Sequence, residues 1–442
     1  MKLYLDLLKQ LVSFKSVSFD PKYLHEIERT LAWYKKLFSS YNFQVEIIHG
    51  FDNPIIYAEY QTNPEYQTAL VYGHYDVQPA SIEDGWDSEP FELKERAGRL
   101  YARGVVDNKG QHLVHLATIL KLVKLKKLAY NIKFFIEGNE ETGSPSIEKF
   151  FKKHKKQLAC DFVMISDGEL VAGHPNINAG YRGITNCKVI AKTARTDLHS
   201  GIYGGTTPNA ALELSRLLSR ITDEHHKIKI PGFYDNVTPI APEIKKLNQK
   251  IPFNLKEYKL ITGAKSVLLP KNMDYYTQVS MQPTIEISGI SSGYTGAGFK
   301  SIIPYKAVAK VNFRLVKNQN PEKILNLFSN YLKKLAPKYL DLQFEFPEGS
   351  EGSVEAVQVD INNRFVNKAK DLLTKVYKQK VLITHHGATL PMMSSLDKVI
   401  RKPIVDIPLV NEDCNMHGAN ENYEIGHLQT ALAFSEQFFS TK

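Results

Sequence analysis

The sequence predicts an α/β fold in which a mixed, mainly parallel sheet is flanked by helices and carries an inserted ferredoxin-like α+β domain. Three observations support this prediction. In the first third of the chain, apolar runs of strand length alternate with a helical pattern. A helix and a strand of the same kind return near the C-terminus. The middle of the chain follows the order β-α-β-β-α-β, which is that of a ferredoxin-like sandwich.

The first third supplies the predicted parallel sheet. Apolar runs of strand length occupy residues 68–74, 132–138 and 161–167. Residues 108–125, between the first two runs, repeat apolar side chains at the period of a helix. Continuous apolar strands joined by helices favour a largely parallel sheet that is covered on both faces.

The middle third supplies the inserted domain. Its elements are a strand after residue 183, a helix at 207–221, strands at 284–291 and 305–316, a helix at 320–335 and a strand at 341–346. A helix at 363–378 and a strand at 401–410 then resemble the elements of the first third. We therefore expect an inserted domain at residues 182–350 and an outer domain made of residues 1–181 and 351–442.

Composition and charge exclude several classes of protein. Of 442 residues, 43% are hydrophobic and 23% are charged, as in ordinary soluble proteins. Charged residues interrupt the N-terminal amphipathic pattern too often for a signal peptide, and we expect a cytoplasmic enzyme. The net charge of +9 lies partly in lysine-rich stretches with helical spacing. A solvated helix face explains these stretches, so we expect no nucleic-acid and no membrane partner.

Cysteines and two histidines predict no additional site. Cys160, Cys187 and Cys414 are odd in number and widely spaced, which excludes a disulfide framework and a thiolate zinc site. His112 and His115 lack the glutamate of a zinc-binding H-E-x-x-H helix, so we expect them on the surface of their helix.

Candidate metal ligands begin at the end of the first apolar strand. His74 ends that strand, and Asp76 lies two residues further on, so both side chains point to the same side of an extended backbone. A carboxylate behind a histidine can fix the ring for metal binding. A packed or solvated histidine is the alternative.

Two further segments place carboxylates near predicted helix and strand ends. Asp107 lies just ahead of the helix at 108–125, where an N-cap is the usual role of an aspartate. Glu140 and Glu141 are adjacent after a strand, and both reach one site only if the backbone bends. Glycines at 138 and 143 permit such a bend. One carboxylate could then bind metal while the other transfers protons; a solvated acidic turn is the alternative.

Asp167 and His417 follow two more strand-like segments. Together with the preceding residues, they place carboxylates and imidazoles at the carboxyl ends of separate strands, where open α/β sheets carry their sites. A set of histidines and carboxylates without thiolates suits a hydrolytic zinc or manganese site, and a bridging carboxylate suits two metals.

Along nearly its whole length, the chain resembles the co-catalytic zinc peptidases that include aminoacylase, glutamate carboxypeptidase and acetylornithine deacetylase. It is most similar to their branch of cytosolic non-specific, or carnosine, dipeptidases. The segments that carry the resemblance are GHYDVQP, LYARGVVDNKG, EGNEETGS, DLHSGIYGG, NFRLVKNQNPE and the final His417 with Asn420-Glu421.

The resemblance implies two Zn²⁺ ions per subunit, for which Mn²⁺ or Co²⁺ could substitute. One ion would be held by His74, Asp107 and Asp167. Asp107, in a cis peptide with the next residue, would bridge to a second ion that Glu141 and His417 also hold. The remaining implied roles are those of a general base for Glu140 and of an orienting residue of the first histidine for Asp76.

For the substrate, the resemblance implies that the inserted domain is a lid and dimerisation domain of a homodimer. Arg314, on the polar face of its strand, would clamp a substrate carboxylate. His199 would reach the partner's active site and stabilise the oxyanion, and Ser301 and Thr389 would bind the carboxylate. The chain departs from the branch at residues 385–391, where His385 and His386 replace an Arg-Glu pair.

The sequence therefore predicts a metallopeptidase that cleaves dipeptides or short peptides with a free carboxylate. An N-acyl amino acid deacylase of the acetylornithine deacetylase or desuccinylase type would use the same metal ligands and remains the alternative. A non-catalytic binding protein would be expected to lack the general base, and Glu140 is present.

Overall fold

The computed structural model describes residues 1–347 and 352–442. Numbered along the chain, its strands are β1 Gln44–Ile48, β2 Ile55–Tyr60, β3 Thr68–His74, β4 Lys94–Arg96, β5 Arg99–Tyr101, β6 Asn131–Glu137, β7 Phe162–Ile165, β8 Asn176–Tyr181, β9 Gly183–Lys192, β10 Leu198–His199, β11 Thr284–Ser292, β12 Ile302–Ile303, β13 Lys306–Leu315, β14 Asp341–Glu345, β15 Val357–Gln358, β16 Leu382–His386, β17 Ile404–Asp406 and β18 Asn422–Glu424.

The helices flank these strands. They are α1 Lys2–Val12, α2 Leu24–Ser40, α3 Lys109–Leu125, α4 Ile147–His154, α5 Ser200–Tyr203, α6 Ala210–Leu218, α7 Pro242–Asn248, α8 Leu255–Thr262, α9 Tyr275–Met281, α10 Pro321–Leu335, α11 Arg364–Tyr377, α12 Pro391–Ser395 and α13 Ile425–Ser440. Within the described ranges, no helix has the length and apolar character that crossing a bilayer requires.

The main sheet has the strand order β1-β2-β6-β3-β7-β17. β6, β3, β7 and β17 run parallel to one another, whereas β1 and β2 form an antiparallel edge. β3 is buried at every position after its first residue, because helices cover both faces of the sheet. The predicted mixed, mainly parallel α/β fold is confirmed.

α3 lies inside this layered structure rather than at its surface. It contacts α1, α13 and β3, and its residues are buried around most of its circumference. The prediction that His112 and His115 lie on the helix surface is therefore wrong: they are only 1% and 0% exposed. His115 instead hydrogen-bonds Ser166 and Ser435 through its two ring nitrogens.

A second sheet, of order β11-β13-β9-β14, is antiparallel throughout. Its strand order is that of the ferredoxin-like sandwich, and α6 and α10 pack against it around a separate hydrophobic cluster. Along β13, alternate residues from Ala307 to Leu315 are buried, so Arg314 lies on the opposite face, as predicted. The boundaries of the inserted domain remain a prediction, and the one at 350/351 lies outside the described residues.

Several elements differ from the predictions. The strand expected at 401–410 is confined to Ile404–Asp406, because Pro403 and Pro408 have no N–H to donate to a neighbouring strand. β8, β15 and β16 form a separate sheet, which the sequence patterns did not predict. Between α6 and β11, α7 and α9 contact β16, so this part of the middle third packs against the outer part of the chain.

Candidate metal centre

Two groups of potential ligands share Asp107. His74, Asp107 and Asp167 form the first group, and Asp107, Glu141 and His417 form the second; within each group the ligand atoms lie within 4.8 Å of one another. The Nε2 atom of His74 is 3.1 Å from Oδ1 of Asp107 and 3.7 Å from Oδ2 of Asp167. The Nε2 atom of His417 is 2.8 Å from Oδ2 of Asp107 and 3.3 Å from Oε2 of Glu141.

The main sheet explains how these residues meet. His74 is the last residue of β3, and Asp167 lies two residues beyond the parallel strand β7. Glu141 lies in a short 3-10 turn four residues beyond β6, the other parallel neighbour of β3. Because parallel strands place their carboxyl ends at one edge, the side chains converge there. Asp107 joins them at the loop before α3, and its peptide bond to Asn108 is cis, as the family resemblance implied.

Asp76 supports both the histidine and the acidic turn. Its Oδ1 atom lies 3.3 Å from Nδ1 of His74. Its two oxygens also accept hydrogen bonds from the backbone N–H groups of Glu140 and Glu141, at 3.2 and 3.1 Å. The bend that the sequence required is therefore held by Asp76, and Gln78 donates a further hydrogen bond to Glu141.

Glu421 holds the loop that carries the shared aspartate. This fully buried carboxylate accepts hydrogen bonds from the backbone N–H groups of Gly104, Val106 and Asp107. It also accepts one from Nη1 of Arg103 at 2.7 Å, and Nη2 of this arginine donates to the carbonyl of His417. Glu421 and Arg103 thus tie the first half of the centre to the segment that brings the second histidine.

The electrostatics show an excess of negative charge. Hydrogen bonds to Asp107 and Glu141 raise the pKa of His417 to about 10. Burial lowers the pKa of His74, but its contacts with Asp107 and Asp76 outweigh burial and raise it well above the ordinary value. Burial, reinforced by Asp107, raises the pKa of Asp167 to about 6. Carboxylates outnumber imidazoles here, so bound cations would relieve their mutual repulsion.

Glu140 occupies a different position from the ligand groups. Its Oε2 atom is 4.0 Å from Nε2 of His74, and its side chain is 19% exposed. Burial, followed by the neighbouring carboxylates, raises its pKa well above the ordinary value, although His74 opposes this shift. A carboxylate with a raised pKa beside a metal site can accept and return a proton.

The donor set fits divalent metal. Imidazole and carboxylate atoms without thiolates suit zinc and manganese. The Nε2 atom of His74 is buried and has no hydrogen-bond partner among the described residues, although it faces the carboxylates. Coordination of a cation would give this buried nitrogen the partner that it lacks. In contrast, the side chain of His417 is 54% exposed, so the second group is open to solvent and substrate.

The predicted substrate residues lie in two places. Nη1 of Arg314 donates to Oγ1 of Thr389 at 3.0 Å, which brings this predicted pair together. His199 and Ser301 are both exposed and lie together elsewhere, in and beside the two-stranded sheet β10–β12. In the described part of the chain, no hydrogen bond or ion pair joins these two residues to the metal-ligand groups.

The replaced pair ends β16 and is partly buried, and His386 belongs to a polar network. Nε2 of His386 lies 2.7 Å from Oδ1 of Asn178, and its ring stacks on Tyr181 at 5.1 Å. Tyr181 in turn donates to the buried carboxylate of Asp406. Burial lowers the pKa of both His385 and His386 to about 4, so they are neutral near pH 7 and cannot replace an Arg-Glu pair electrostatically.

Sequence reasoning missed the supporting residues. Gln78, Arg103 and Glu421 lie inside or beside segments that it identified, but no pattern assigned them a partner. The contacts of Glu421 span more than 300 residues of sequence, so they become visible only in the folded chain. The available signal for Glu421 was its place beside His417, in a segment that carries the family resemblance.

Comparison with known proteins agrees with this geometry. The profile of peptidase family M20/M25/M40 matches residues 70–441. The chain is 30% identical over 395 residues to a Beta-Ala-His dipeptidase of Rattus norvegicus, covering 87% of this chain and 80% of that protein. It is 29% identical over 403 residues to the Cys-Gly metallodipeptidase DUG1 of Saccharomyces cerevisiae, covering 87% and 82%.

A solved structure extends the agreement to three dimensions. The M20 family metallo-carboxypeptidase Sso-CP2 from Sulfolobus solfataricus superposes with a TM-score of 0.83 at 28% identity, covering 99% of this chain and 98% of that one. The sequence match, the shared fold and the convergence of metal-binding side chains lead to one conclusion: the chain belongs to peptidase family M20/M25/M40 and is a metallopeptidase.

Proposed function

We propose that this metallopeptidase is a dipeptidase that hydrolyses the single amide bond of a dipeptide with a free C-terminal carboxylate. The observation that carries the proposal is the coexistence of the shared-aspartate metal centre with Arg314, a half-buried cation that bonds a hydroxyl and can bind a carboxylate. Relatives named for Beta-Ala-His and Cys-Gly dipeptides support this substrate class.

The proposed cofactor is a pair of Zn²⁺ ions, with Mn²⁺ or Co²⁺ as substitutes. His74, Asp107 and Asp167 would hold one ion, and Asp107, Glu141 and His417 would hold the other. When bound, such a pair supplies a Lewis acid and lowers the pKa of water towards ~7. Asp76 keeps the ring of His74 oriented and holds the acidic turn in place.

In the proposed reaction, Glu140 takes a proton from the attacking water and delivers it to the leaving amine. Its raised pKa suits this shuttle, because the group must accept the proton and then release it. Arg314 and Thr389 hold the substrate carboxylate, so the scissile bond takes a fixed orientation. His199 of a second subunit donates to the oxygen that becomes negative during attack.

A homodimer is part of this proposal, since His199 and Ser301 are exposed and stand apart from the metal ligands. The edge strand β11 of the inserted sheet supports dimerisation: Ile287 and Ile290 are 42% and 59% exposed on it. An unpaired edge with exposed apolar side chains favours pairing with another chain. We also propose a cytoplasmic location, in keeping with three buried, unpaired cysteines.

The test is a substrate panel for the Zn²⁺- or Mn²⁺-loaded protein. We expect free amino acids to be released from dipeptides, with little turnover of N-acetyl or N-succinyl amino acids. Cleavage of acyl amino acids alone would favour the deacylase, and release of C-terminal residues only from longer peptides would favour a carboxypeptidase. Either result would overturn the dipeptidase assignment.

A second test separates catalysis from metal binding. Glu140→Ala should retain its metal but lose turnover by about 10²–10⁴-fold, the usual contribution of a general base. Metal content by elemental analysis is the control for this variant. Wild-type turnover in the metal-loaded variant would contradict the assigned mechanism.

A further inference from the structure

Arg182 makes a set of contacts that sequence reasoning did not anticipate. It lies between β8 and β9, where the chain passes from one sheet to the other. Its backbone N–H donates to the carbonyls of His386 and Ala388, and its Nε atom donates to the carbonyl of Gly387 at 3.0 Å. Its own carbonyl accepts the hydroxyl of Thr389 at 2.7 Å. Arg182 therefore fixes the loop that presents Thr389.

The other end of the Arg182 side chain reaches the inserted sheet. Its Nη1 atom donates to the carbonyl of Gln282 at 3.1 Å and lies 3.5 Å from Oγ1 of Thr284. Thr284 is the direct cross-strand partner of Arg314 in the β11–β13 pair. The hydroxyl of Thr389 therefore accepts a hydrogen bond from the guanidinium of Arg314 and donates one to the backbone carbonyl of Arg182.

The two guanidinium groups are not balanced by acid. Among residues 1–347 and 352–442, no carboxylate oxygen lies within 4.0 Å of either one. Burial, followed by the charge of Arg314, lowers the pKa of Arg182 to about 10, and the more distant Glu286 opposes this shift. Two cations confined near each other repel, and an anion placed between them would relieve this repulsion.

A ligand can reach this region. Arg182 lines a cavity of about 190 Å³ together with residues of β8, β15 and β16. Its wall also includes Val316, which lies two residues beyond Arg314, and the apolar residues Ile244 and Met281 from the segment between α6 and β11. Arg182 thus stands beside a mainly apolar space.

We propose that Arg182 is a positioning residue of the substrate-carboxylate site: its side chain holds the carbonyl of Gly387, two residues before Thr389, and adds a second positive charge near Arg314. This inference rests on the proposed dipeptidase function and assigns a role to a residue outside the metal centre. A bidentate carboxylate would be held by Arg314, while Arg182 keeps the hydroxyl and the loop in register and strengthens the positive potential.

The test compares Arg182→Gln with Arg182→Lys, using a dipeptide and the same dipeptide with a C-terminal amide. For Arg182→Gln we expect KM for the free acid to rise about 10–100-fold, the size of one lost charge-assisted contact, while KM for the amide changes less than twofold. Arg182→Lys keeps the charge but cannot reproduce the fork of hydrogen bonds, so its KM should lie between those of wild type and Arg182→Gln.

Arg216→Gln is the matched control, because it removes an arginine that is 67% exposed on α6 and whose only ion pair within the described residues is with Glu213. Its kinetics should equal those of wild type. Thermal unfolding of each variant shows whether the fold is intact. The proposal would be overturned if KM rose equally for the acid and the amide, or if KM for the acid were unchanged in a folded Arg182→Gln protein.

A binding measurement keeps this test separate from the proposed activity. Calorimetric titration with an N-acetyl amino acid and with its amide requires no turnover. Wild type should bind the acid more tightly, and Arg182→Gln should lose most of that difference. If wild type hydrolyses no dipeptide yet Arg182→Gln loses the preference for the acid, the dipeptidase proposal fails while the role of Arg182 stands. If wild type shows no preference, or Arg182→Gln keeps it, the role fails.

Discussion

Asp107 is the residue on which both halves of the metal centre depend. Its two oxygens face different histidines, at 3.1 Å from Nε2 of His74 and 2.8 Å from Nε2 of His417. A single carboxylate in this position can bridge two ions, whereas each of the other ligands serves one group.

We therefore predict different metal contents for two variants. Asp107→Ala should lose both ions after dialysis, because it removes a ligand from each group. His417→Ala should retain about one ion per chain, since the first group remains complete. Elemental analysis of the dialysed proteins measures this difference, with Glu140→Ala as the control that keeps both. Equal metal contents in the two variants would contradict the shared role of Asp107.

The buried histidine of α3 predicts a dependence of stability on pH. Burial lowers the pKa of His115 to about 3, below its ordinary value of 6.5. The folded protein therefore keeps this ring neutral, while the unfolded chain binds a proton below pH 6.5. Stability from this residue is complete above pH 6.5 and is lost as the pH falls from there towards 3.

Replacing His115 should reduce this loss. Between pH 7 and pH 5, wild type should lose about 2 kcal/mol more unfolding free energy than His115→Gln, at about 1.4 kcal/mol per pH unit below 6.5. Urea unfolding of the metal-free proteins at both pH values measures this difference. Parallel pH profiles would show that the native state accommodates the charged ring.

Among single residues, the sequence predicted the site residues whose position follows from the end of a strand. His74 and Asp167 are examples, because β3 and β7 are apolar runs that end where the side chains are needed. Burial of His112 and His115 could not be predicted, since it depends on α1 and α13 covering α3 from other parts of the chain. Arg182 was invisible for the same reason: its partners lie 100 to 207 residues away.

Among the elements, the loop from Arg103 to Asp107 depends on a buried acid from the far end of the chain. Glu421 accepts several backbone N–H groups of this loop and the guanidinium of Arg103. These bonds position Asp107 before α3 begins. The loop is therefore held in place by an ionised acceptor rather than by its own sequence.

Glu421→Gln should weaken metal binding without removing a ligand. The amide keeps the shape of the side chain, but it loses the charge that Arg103 and the N–H groups require. We expect metal affinity to fall about 10–100-fold, as for other residues that orient metal ligands. Competition with a chelator measures the affinity. Glu424→Gln is the control, because Glu424 lies three residues further along the chain and is partly exposed. Unchanged affinity would show that the loop holds its shape alone.

The bounds of elements with an uninterrupted apolar pattern could be predicted from the sequence. The burial of β8, which mixes apolar and polar residues, could not. β3, α10 and α11 begin and end within one residue of the prediction, because their apolar periods are uninterrupted. β8 carries asparagines that are buried only because Thr384, from β16, and other polar groups bond them. Its burial is therefore a tertiary effect that single-sequence patterns do not contain.

For the whole molecule, the separation of His199 from the metal ligands predicts cooperation between subunits. If His199 acts in the partner's site, Glu140→Ala and His199→Ala dimers should each be inactive. A mixed dimer would contain one complete site, made of Glu140 from one chain and His199 from the other. Random subunit exchange between equal amounts of the two variants makes about half of the dimers mixed. Because each mixed dimer has one complete site of two, about a quarter of wild-type activity should return.

Mixing the two purified variants under conditions of subunit exchange, followed by an activity assay, measures this recovery. A chain that carries both substitutions is the control. A dimer of this chain with either single variant contains no complete site, so these mixtures should stay inactive. Failure to recover activity in dimers that have exchanged would show that His199 does not act in trans.

A ribosome makes His417 more than 300 residues after His74. At ~5–20 residues per second, tens of seconds separate the two events. During that time the growing chain can pair β3 with β6 and β7, but it lacks the segment that carries His417 and the acid that holds the Asp107 loop. Completion of the metal centre therefore waits for the segment that carries His417, and a chain that stops just ahead of residue 417 has the first ligand group but lacks the second.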